Sequence, residues 1–201
     1  MHRATTESAP VGGRMIFTIG HSNHSQQTFV TLLTTHRIEV LVDVRSHPRS
    51  TYSPHFDAVP LERAVRAAGR KYLFLGEELG GRPEGDEYYD NEGFVLYYKV
   101  ARTERFRAAI ERLVRGSDIC RIAVMCSEED PVGCHRRLLV GRVLQERGVS
   151  TQHIRGNGQL VSEASIASRH PGQPALFKTS EESEWKSLQS VLRRKAPQSS
   201  F

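Results

Sequence analysis

The chain has 201 residues, of which 38 % are apolar and 25 % charged, and its formal net charge is +5. This length and composition predict one domain with a hydrophobic core and short tails, and no apolar run approaches the roughly 20 residues that a membrane span needs. Three cysteines without framework spacing argue against a disulfide-stapled secreted protein and favour the reducing cytoplasm.

Apolar strands alternate with amphipathic helices along the chain. After a polar arm at 1–14, expected to be flexible, apolar runs predict strands at Met15–Ile19, Val40–Val44, Lys71–Leu75, Ile122–Met125 and Thr151–Ile154. Caps and helical periodicity predict helices from Ser25 to near His36, at Leu61–Ala68, Glu92–Tyr98 and Thr103–Arg115, from Leu138 to Gly148, and at Glu181–Lys195. The stretches Ser46–Pro60, Gly76–Gly85 and Arg155–Pro174 are expected to be irregular. The alternation predicts a three-layer α/β fold, with a mainly parallel, Rossmann-like sheet flanked by helices.

The segment Ile122–Arg137 (IAVMCSEEDPVGCHRR) concentrates chemistry where a buried strand becomes a helix. In open α/β sheets, ligands bind in the crevice outside the carboxyl ends of the strands. The side chains that we expect at that edge are Cys126, Glu128, Cys134, His135 and Arg136.

The two cysteines of this segment allow several kinds of chemistry. Cys134 lies at the predicted start of a helix beside cationic residues, a position that favours thiolate over thiol. It could act as a nucleophile, form a redox pair with Cys126, or bind a soft metal together with His135. Simple packing of both thiols is the alternative. The C-x7-C-H spacing lacks the usual paired zinc ligands and an evident fourth ligand, so we predict no metal or other cofactor.

Further polar residues follow the neighbouring strands. Asp43 and Arg45 share one face of the second strand, because strand side chains alternate with period two. They form either a structural ion pair or part of a substrate site. His21 and Ser22 follow the first strand and are candidates for the same site. In the loop after the second strand, Arg49 supplies a cation that can contact phosphates and Tyr52 an aromatic ring that can stack on bases.

Four motifs occur in a fixed order along the chain. They are TIGHS at Thr18–Ser22, LVDVRSHPRS at Leu41–Ser50, ELGG at Glu78–Gly81 and MCSEEDPVGCHR at Met125–Arg136. Together they resemble the DUF488 family of small bacterial and archaeal proteins, and the resemblance runs from about Met15 to Ile154. The function of this family is undetermined, and the resemblance therefore indicates a site rather than a reaction. The positions that it implicates are His21, Asp43, Arg45, Cys126, Glu128, Cys134, His135 and Arg136.

A second likeness is to the rhodanese-type sulfurtransferases. Asp43-Val44-Arg45 and the strand-Cys-loop-Arg-helix order at Val124–Arg137 resemble that family, in which a nucleophilic cysteine begins a loop that wraps an anion. Here the loop after Cys126 is longer and carries the acids Glu128, Glu129 and Asp130. Negative charge would oppose a thiolate or persulfide, which argues against straightforward sulfur transfer.

Outside the α/β domain expected at residues 15–160, we predict a C-terminal loop and helix at 161–201. Within it, Gln173-Pro174-Ala175-Leu176-Phe177 is similar to the Q-x-x-L-F pattern by which bacterial repair and replication proteins bind the sliding clamp. Such a peptide would bury Leu176 and Phe177 in an apolar groove while Gln173 hydrogen-bonds at its edge. Alternatively, Leu176 and Phe177 pin the tail onto this protein's own core.

Together these features predict an enzyme that acts on a base or nucleotide in DNA, in repair or modified-base processing, including glycosidic-bond cleavage as one possible reaction. Asp43 or Glu128 would serve as general base, His21 would transfer protons, and Cys126 and Cys134 would shape the pocket or supply a thiolate. Substrate would contact Ser22, Arg45, Arg49, Tyr52, His135 and Arg136. The alternatives are a cysteine-dependent small-molecule enzyme of the rhodanese type and a non-catalytic clamp- or DNA-binding adaptor.

Overall fold

The computed structural model describes residues 13–169 and 185–191. The predictions for the arm before residue 13 and for Gln173, Leu176 and Phe177 lie outside the described residues. Within the described part of the chain, no helix combines the length and the apolar character that crossing a membrane requires.

One six-stranded sheet forms the centre of the fold, in the order β3-β2-β4-β1-β5-β6. Five strands are parallel, and only β6 pairs antiparallel, with β5. The strands are β1 (Met15–Gly20), β2 (Val40–Asp43), β3 (Lys71–Phe74), β4 (Ile122–Cys126), β5 (Ser150–Ile154) and β6 (Leu160–Ser162). The central strands β1, β2 and β4 are short and almost wholly buried, as expected for a sheet that is covered on both faces.

Helices cover both faces, which confirms the three-layer α/β fold. They are α1 (Gln26–Thr35), α2 (Ala58–Ala67), α3 (Gly76–Leu79), α4 (Tyr97–Val100), α5 (Glu104–Ser117), α6 (Arg142–Glu146) and α7 (Glu163–Arg169), and a π-helical segment, Arg136–Gly141, precedes α6. Alternate strand residues divide the core into two clusters. Phe17 and Leu41 pack with α1 and α2, whereas Ile16 and Val42 pack with α5, α6 and the π-helical segment.

Local signals located most of these elements. Ser25 accepts a hydrogen bond from the Thr28 N–H and caps α1, and Thr103 caps α5 through the Phe106 N–H. The prediction of irregular structure is wrong for α3, β6 and α7, whose sequences are too short to show a clear period.

Two predicted helices are wrong for a common reason. The stretch predicted as a helix at Glu92–Tyr98 instead pairs Val95 with Tyr89, and helix α4 begins only at Tyr97. In the part of Glu181–Lys195 that is described, 185–191, the chain is not helical, and Lys186 pairs with Leu96. The two segments satisfy each other's backbone groups, as in the 2.9 Å hydrogen bond from the Ser187 N–H to the Val95 carbonyl, and this long-range pairing overrides helical periodicity.

Candidate functional site

Three adjacent strands bring the candidate residues to one edge of the sheet. Strand β4 lies between β2 and β1, with Gly20 in register with Cys126 and Asp43 in register with Met125. The residues that follow these strands therefore meet outside the carboxyl ends. The segments that follow β1 and β4 continue to pair beyond the sheet, because the His21 and Ser22 N–H groups donate to the Cys126 and Ser127 carbonyls.

Asp43 and Arg45 form a buried ion pair behind this edge. The Arg45 guanidinium donates to both Asp43 carboxylate oxygens, at 2.9 and 2.6 Å, and to the Phe56 carbonyl at 2.8 Å. The Tyr72 hydroxyl donates to Asp43 Oδ2 at 2.8 Å. Since Asp43 is fully buried and both its oxygens accept hydrogen bonds, it does not offer a base to a substrate. The geometry fits a positioning role for Asp43, which orients Arg45.

His21 is held in its neutral form against this pair. Its Nδ1–H donates to the Ser22 carbonyl at 2.8 Å, while Nε2 accepts from Arg45 Nη1 at 3.2 Å. The ring stacks on Phe56 with centroids 4.4 Å apart. Burial and the Arg45 charge lower the pKa of His21 to about 4. Both ring nitrogens are thus committed to protein partners, which suits a structural role better than proton transfer.

Four functional side chains converge where β4 ends. Glu128 Oε2 lies 3.2 Å from Cys126 Sγ and 2.9 Å from Cys134 Sγ. His135 Nδ1 lies 3.6 Å from Cys126 Sγ and 4.0 Å from Cys134 Sγ. We call these four residues the thiol cluster. The donor atoms of its two cysteines and its histidine all lie within 4.8 Å of one another, close enough to hold one metal ion.

The close packing of the four side chains in the thiol cluster shifts their pKa values. A hydrogen bond with Cys134 and burial raise the pKa of Cys126. Burial opposes ionisation of Cys134, but its hydrogen bond with Cys126 and the charge of Arg136 lower the pKa of the Cys134 thiol. Burial also opposes charge on His135, yet the contact with Cys134 raises the pKa of its imidazole. Desolvation of the carboxyl group and the adjacent Cys134 raise the pKa of Glu128. The cluster thus pairs one thiol whose pKa is raised with one whose pKa is lowered.

A fully buried arginine and a partly exposed one hold the loop that carries Glu128. Arg136 is fully buried, and its guanidinium donates to the Glu128 carbonyl at 2.5 Å and the Glu129 carbonyl at 2.8 Å. The Glu129 carboxylate accepts two hydrogen bonds from Arg155, at 2.9 and 2.7 Å. The substrate contact expected for Arg136 does not fit this placement, because the side chain braces the loop instead. Among the three acids of the loop, Glu128 is the one that faces the thiols.

A polar pocket of about 340 Å³ opens over the thiol cluster. All four residues of the cluster line it, and cationic side chains surround them. Arg45 contributes to the wall, and the exposed residues Arg49 and Arg82 add cationic groups beside His47. The site thus combines a cationic rim with a floor of sulfur, carboxylate and imidazole groups, which suits an anionic ligand with a polar body.

The remaining predicted residues lie outside the pocket. Tyr52 is 98 % exposed on its loop and does not line the pocket. Ser22 adopts a positive φ of 48° beside His21, and its hydroxyl donates to Asn23 Oδ1 at 3.3 Å. His21, Asp43 and Arg136 lie behind the lining. The predicted set therefore separates into residues that face the pocket and residues that support them.

Sequence analysis missed several lining residues. Gly81, Arg82 and Tyr97 come from the region between β3 and α5, and Ser187, Gln189, Ser190 and Val191 form a further wall. The ELGG motif was a usable signal, because a Cβ on Gly81 would lie only 2.6 Å from His135 Cγ. No local signal identifies the 187–191 wall, since its position depends on pairing with the 93–96 segment.

The chain matches the model of one known protein family. The model of the family "Domain of unknown function DUF488" matches residues 25–143, more than half of the chain. No curated protein and no solved structure matches the chain. The matched range contains Asp43, Arg45 and the whole thiol cluster, and on this evidence the chain belongs to the DUF488 family.

Proposed function

We propose that this protein is an enzyme that acts on a base or nucleotide in DNA, with Glu128 as its general acid–base group. The observation that carries the proposal is the pocket itself, in which a carboxylate lies on the floor beneath a cationic rim. Its volume of about 340 Å³ lies in the range of small-ligand sites and is sufficient for a base with its sugar.

The rim supports recognition of phosphate. Arg49 and Arg82 are exposed at the pocket, and guanidinium groups bind phosphate oxygens through two parallel hydrogen bonds. Arg45 is less available, because its guanidinium is already bound to Asp43 and to the Phe56 carbonyl. In this proposal Arg49 and Arg82 hold the phosphates, and Arg45 maintains the shape of the wall.

Hydrolysis of a glycosidic bond is the reaction that we propose. Water attacks the sugar C1′ atom while Glu128 accepts its proton, the C1′–N bond breaks, and the departing base takes up a proton from solvent; Glu128 then returns its proton to solvent. A positioned carboxylate of this kind contributes through both base catalysis and stabilisation of the oxocarbenium-like transition state. Glu129 is unsuited to this role because Arg155 binds both its oxygens.

The test combines base release with binding. Oligonucleotides carrying normal and modified bases are incubated with the full chain, and abasic sites are detected by alkaline strand cleavage. Glu128→Gln should lower base release by roughly 100-fold or more and leave DNA binding within about twofold, because a general acid–base group adds little to ground-state binding. Glu84→Gln changes an exposed acid outside the pocket lining and serves as the matched control. Equal base release by the wild type and Glu128→Gln, or no salt-sensitive DNA binding, would contradict the proposal.

The cysteine–histidine contact favours a second candidate, a thiol-dependent enzyme. His135 Nδ1 lies 3.6 and 4.0 Å from the two sulfurs, within reach for activating a thiolate. Burial opposes this candidate, since Cys126 is 4 % and Cys134 2 % exposed and reactive thiols are usually more accessible. Peptide mapping after iodoacetamide treatment separates the candidates. Selective alkylation of Cys134 at pH 6–7 that abolishes turnover would favour the thiol enzyme, and protection of both cysteines would argue against it.

A further inference from the structure

The donor atoms of the thiol cluster have the spacing of a metal coordination shell. In a tetrahedral zinc site with Zn–S of about 2.3 Å and Zn–N of about 2.0–2.1 Å, neighbouring S and N ligands lie roughly 3.6 Å apart. His135 Nδ1 lies 3.6 Å from Cys126 Sγ and 4.0 Å from Cys134 Sγ. With all three donor atoms within 4.8 Å of one another, the two sulfurs and the nitrogen can together bind a single ion.

The orientation of His135 is a second, independent indication. Its Nε2 lies 3.0 Å from the Val44 carbonyl, which can only accept, so Nε2 carries the proton of the neutral ring. Nδ1 is consequently left with its lone pair directed at the two sulfurs. Histidine ligands of metals are held in this way, with the other ring nitrogen donating to a backbone carbonyl or a carboxylate.

Rigid elements position all three ligands before any ion binds. Cys126 ends a fully buried strand, and Cys134 and His135 immediately precede the π-helical segment. Gly81 lies so close to the His135 ring that a side chain there would displace it. Arg136 fixes the intervening loop through the Glu128 and Glu129 carbonyls. Such support of the ligands reduces the reorganisation that metal binding would cost.

We propose that Cys126 Sγ, Cys134 Sγ and His135 Nδ1 bind one zinc ion at the floor of the pocket. Thiolate and imidazole ligands together select zinc among the common divalent ions. Glu128 Oε2, at 3.2 and 2.9 Å from the sulfurs, lies beside the fourth position, which faces the pocket. Two cysteines and a histidine with a fourth position facing a pocket are typical of catalytic rather than purely structural zinc sites. The metal site itself does not depend on the reaction proposed above.

Metal content tests the site without any substrate. The full chain is purified without an affinity tag, loaded with zinc, desalted and analysed by elemental mass spectrometry, with an expected content of about one zinc per chain. Cys126→Ser, Cys134→Ser and His135→Gln should each lower zinc affinity by roughly tenfold or more. Cys120→Ser removes the third cysteine, which lies outside the cluster, and should retain full zinc.

Cobalt substitution provides a measurement on the wild type that does not depend on folding of the variants. Bound Co²⁺ should show thiolate-to-cobalt charge-transfer bands and the intense visible bands of tetrahedral coordination, and added zinc should abolish both. Glu128→Gln should retain zinc, since it leaves all three ligands in place, and should shift the visible bands because it changes a group beside the ion. The absence of thiolate bands, or a zinc content far below one per chain, would overturn the proposal. Equal zinc loss in Cys120→Ser would overturn it as well. Equal base release by the wild type and Glu128→Gln, with one zinc bound to each, would count against the catalytic proposal alone. Absence of zinc from a chain that still releases bases through Glu128 would count against the metal site alone.

Discussion

At the scale of single residues, the buried ion pair of Asp43 and Arg45 supports the pocket. Asp43 is fully buried and Arg45 is 4 % exposed, so that removal of either partner leaves an unpaired charge inside the protein. We expect Asp43→Ala to lower the free energy of unfolding by about 3–5 kcal/mol, measured by urea denaturation. The matched change in an exposed pair, Glu62→Ala, which removes the partner of Arg66, should cost no more than about 0.5 kcal/mol. Similar losses in both variants would contradict a supporting role for the buried pair.

His21 should make folding stability dependent on pH. Its folded pKa of about 4 lies below its unfolded value of 6.5, so the unfolded chain binds more protons between these values. The contribution of His21 to the free energy of unfolding is therefore fully present above about pH 6.5. It is lost as the pH falls toward about 4, by at most about 1.4 kcal/mol per pH unit. The groups that face the ring are Arg45, Asp43, His55 and Phe56.

The His21 contribution can be isolated from that of other buried groups. Burial also lowers the pKa of His153. The pKa of Glu163 is lowered as well, because its hydrogen bonds with His153 and Arg137 outweigh the effect of burial. Acid therefore destabilises the fold through these two groups as well as through His21. Urea unfolding of the wild type and His21→Gln is compared at pH 7, 6 and 5. The variant should lose less stability on acidification than the wild type, and parallel pH profiles would contradict this role of His21.

At the scale of elements, the close contact between β1 and the loop after β4 shapes the thiol cluster. A Cβ on Gly20 would collide with the Glu128 carbonyl oxygen and lie 2.8 Å from Glu129 Cα. Because these atoms belong to the backbone, the loop itself would have to move. Gly20→Ala should therefore destabilise the fold by about 1–3 kcal/mol and displace Glu128 from the sulfurs.

Gly133 provides the matched control for Gly20. It lies in the loop that follows Glu128, and a Cβ there meets nothing within 4 Å. Gly133→Ala should change the free energy of unfolding by less than about 0.5 kcal/mol. Thermal unfolding measures both variants, and equal stability of Gly20→Ala and Gly133→Ala would show that the loop adapts without cost.

The π-helical segment Arg136–Gly141 explains how two consecutive arginines are both buried. Arg136 donates to the loop that carries Glu128, while Arg137 donates to Glu163 at 2.5 and 2.9 Å. Glu163 in turn contacts His153 on β5. Wide π turns of this kind are frequent at functional sites. Here the segment connects the thiol cluster with the far side of the sheet through charged side chains that are fully or almost fully buried.

At the scale of the whole molecule, the charge distribution favours an anionic partner. The net charge is +5, and Arg49 and Arg82 are exposed at the rim of the pocket. DNA affinity should fall linearly with the logarithm of the salt concentration, and each phosphate contact that is removed should reduce the slope by about 1. The double variant Arg49→Glu/Arg82→Glu should accordingly reduce the slope by about 2 in fluorescence anisotropy titrations. Arg63→Glu changes an exposed arginine of α2 outside the pocket lining, and an equal effect of this control would contradict binding at the pocket.

The sequence by itself determined the α/β class, the order of most elements and the sheet edge at which the candidate residues gather. Strands β1, β2 and β4 are short apolar runs whose period and breakers are local properties, and Ser25 and Thr103 mark helix starts through local hydrogen bonds. Parallel strands end at one edge of a sheet, so the chemistry that follows these strands was predictable as a cluster.

Only the tertiary structure decided the role of each residue. Asp43, His21 and Arg136 carry reactive groups in the sequence, but burial and committed hydrogen bonds make them supports in the fold. The C-x7-C-H spacing gives no familiar metal pattern, yet folding of the loop brings Cys126, Cys134 and His135 within 4.8 Å of one another. The pocket wall at 187–191 is likewise held in place by hydrogen bonds to residues about 95 positions earlier in the chain. Local sequence encodes period and caps, whereas the direction and accessibility of a side chain depend on contacts between distant segments.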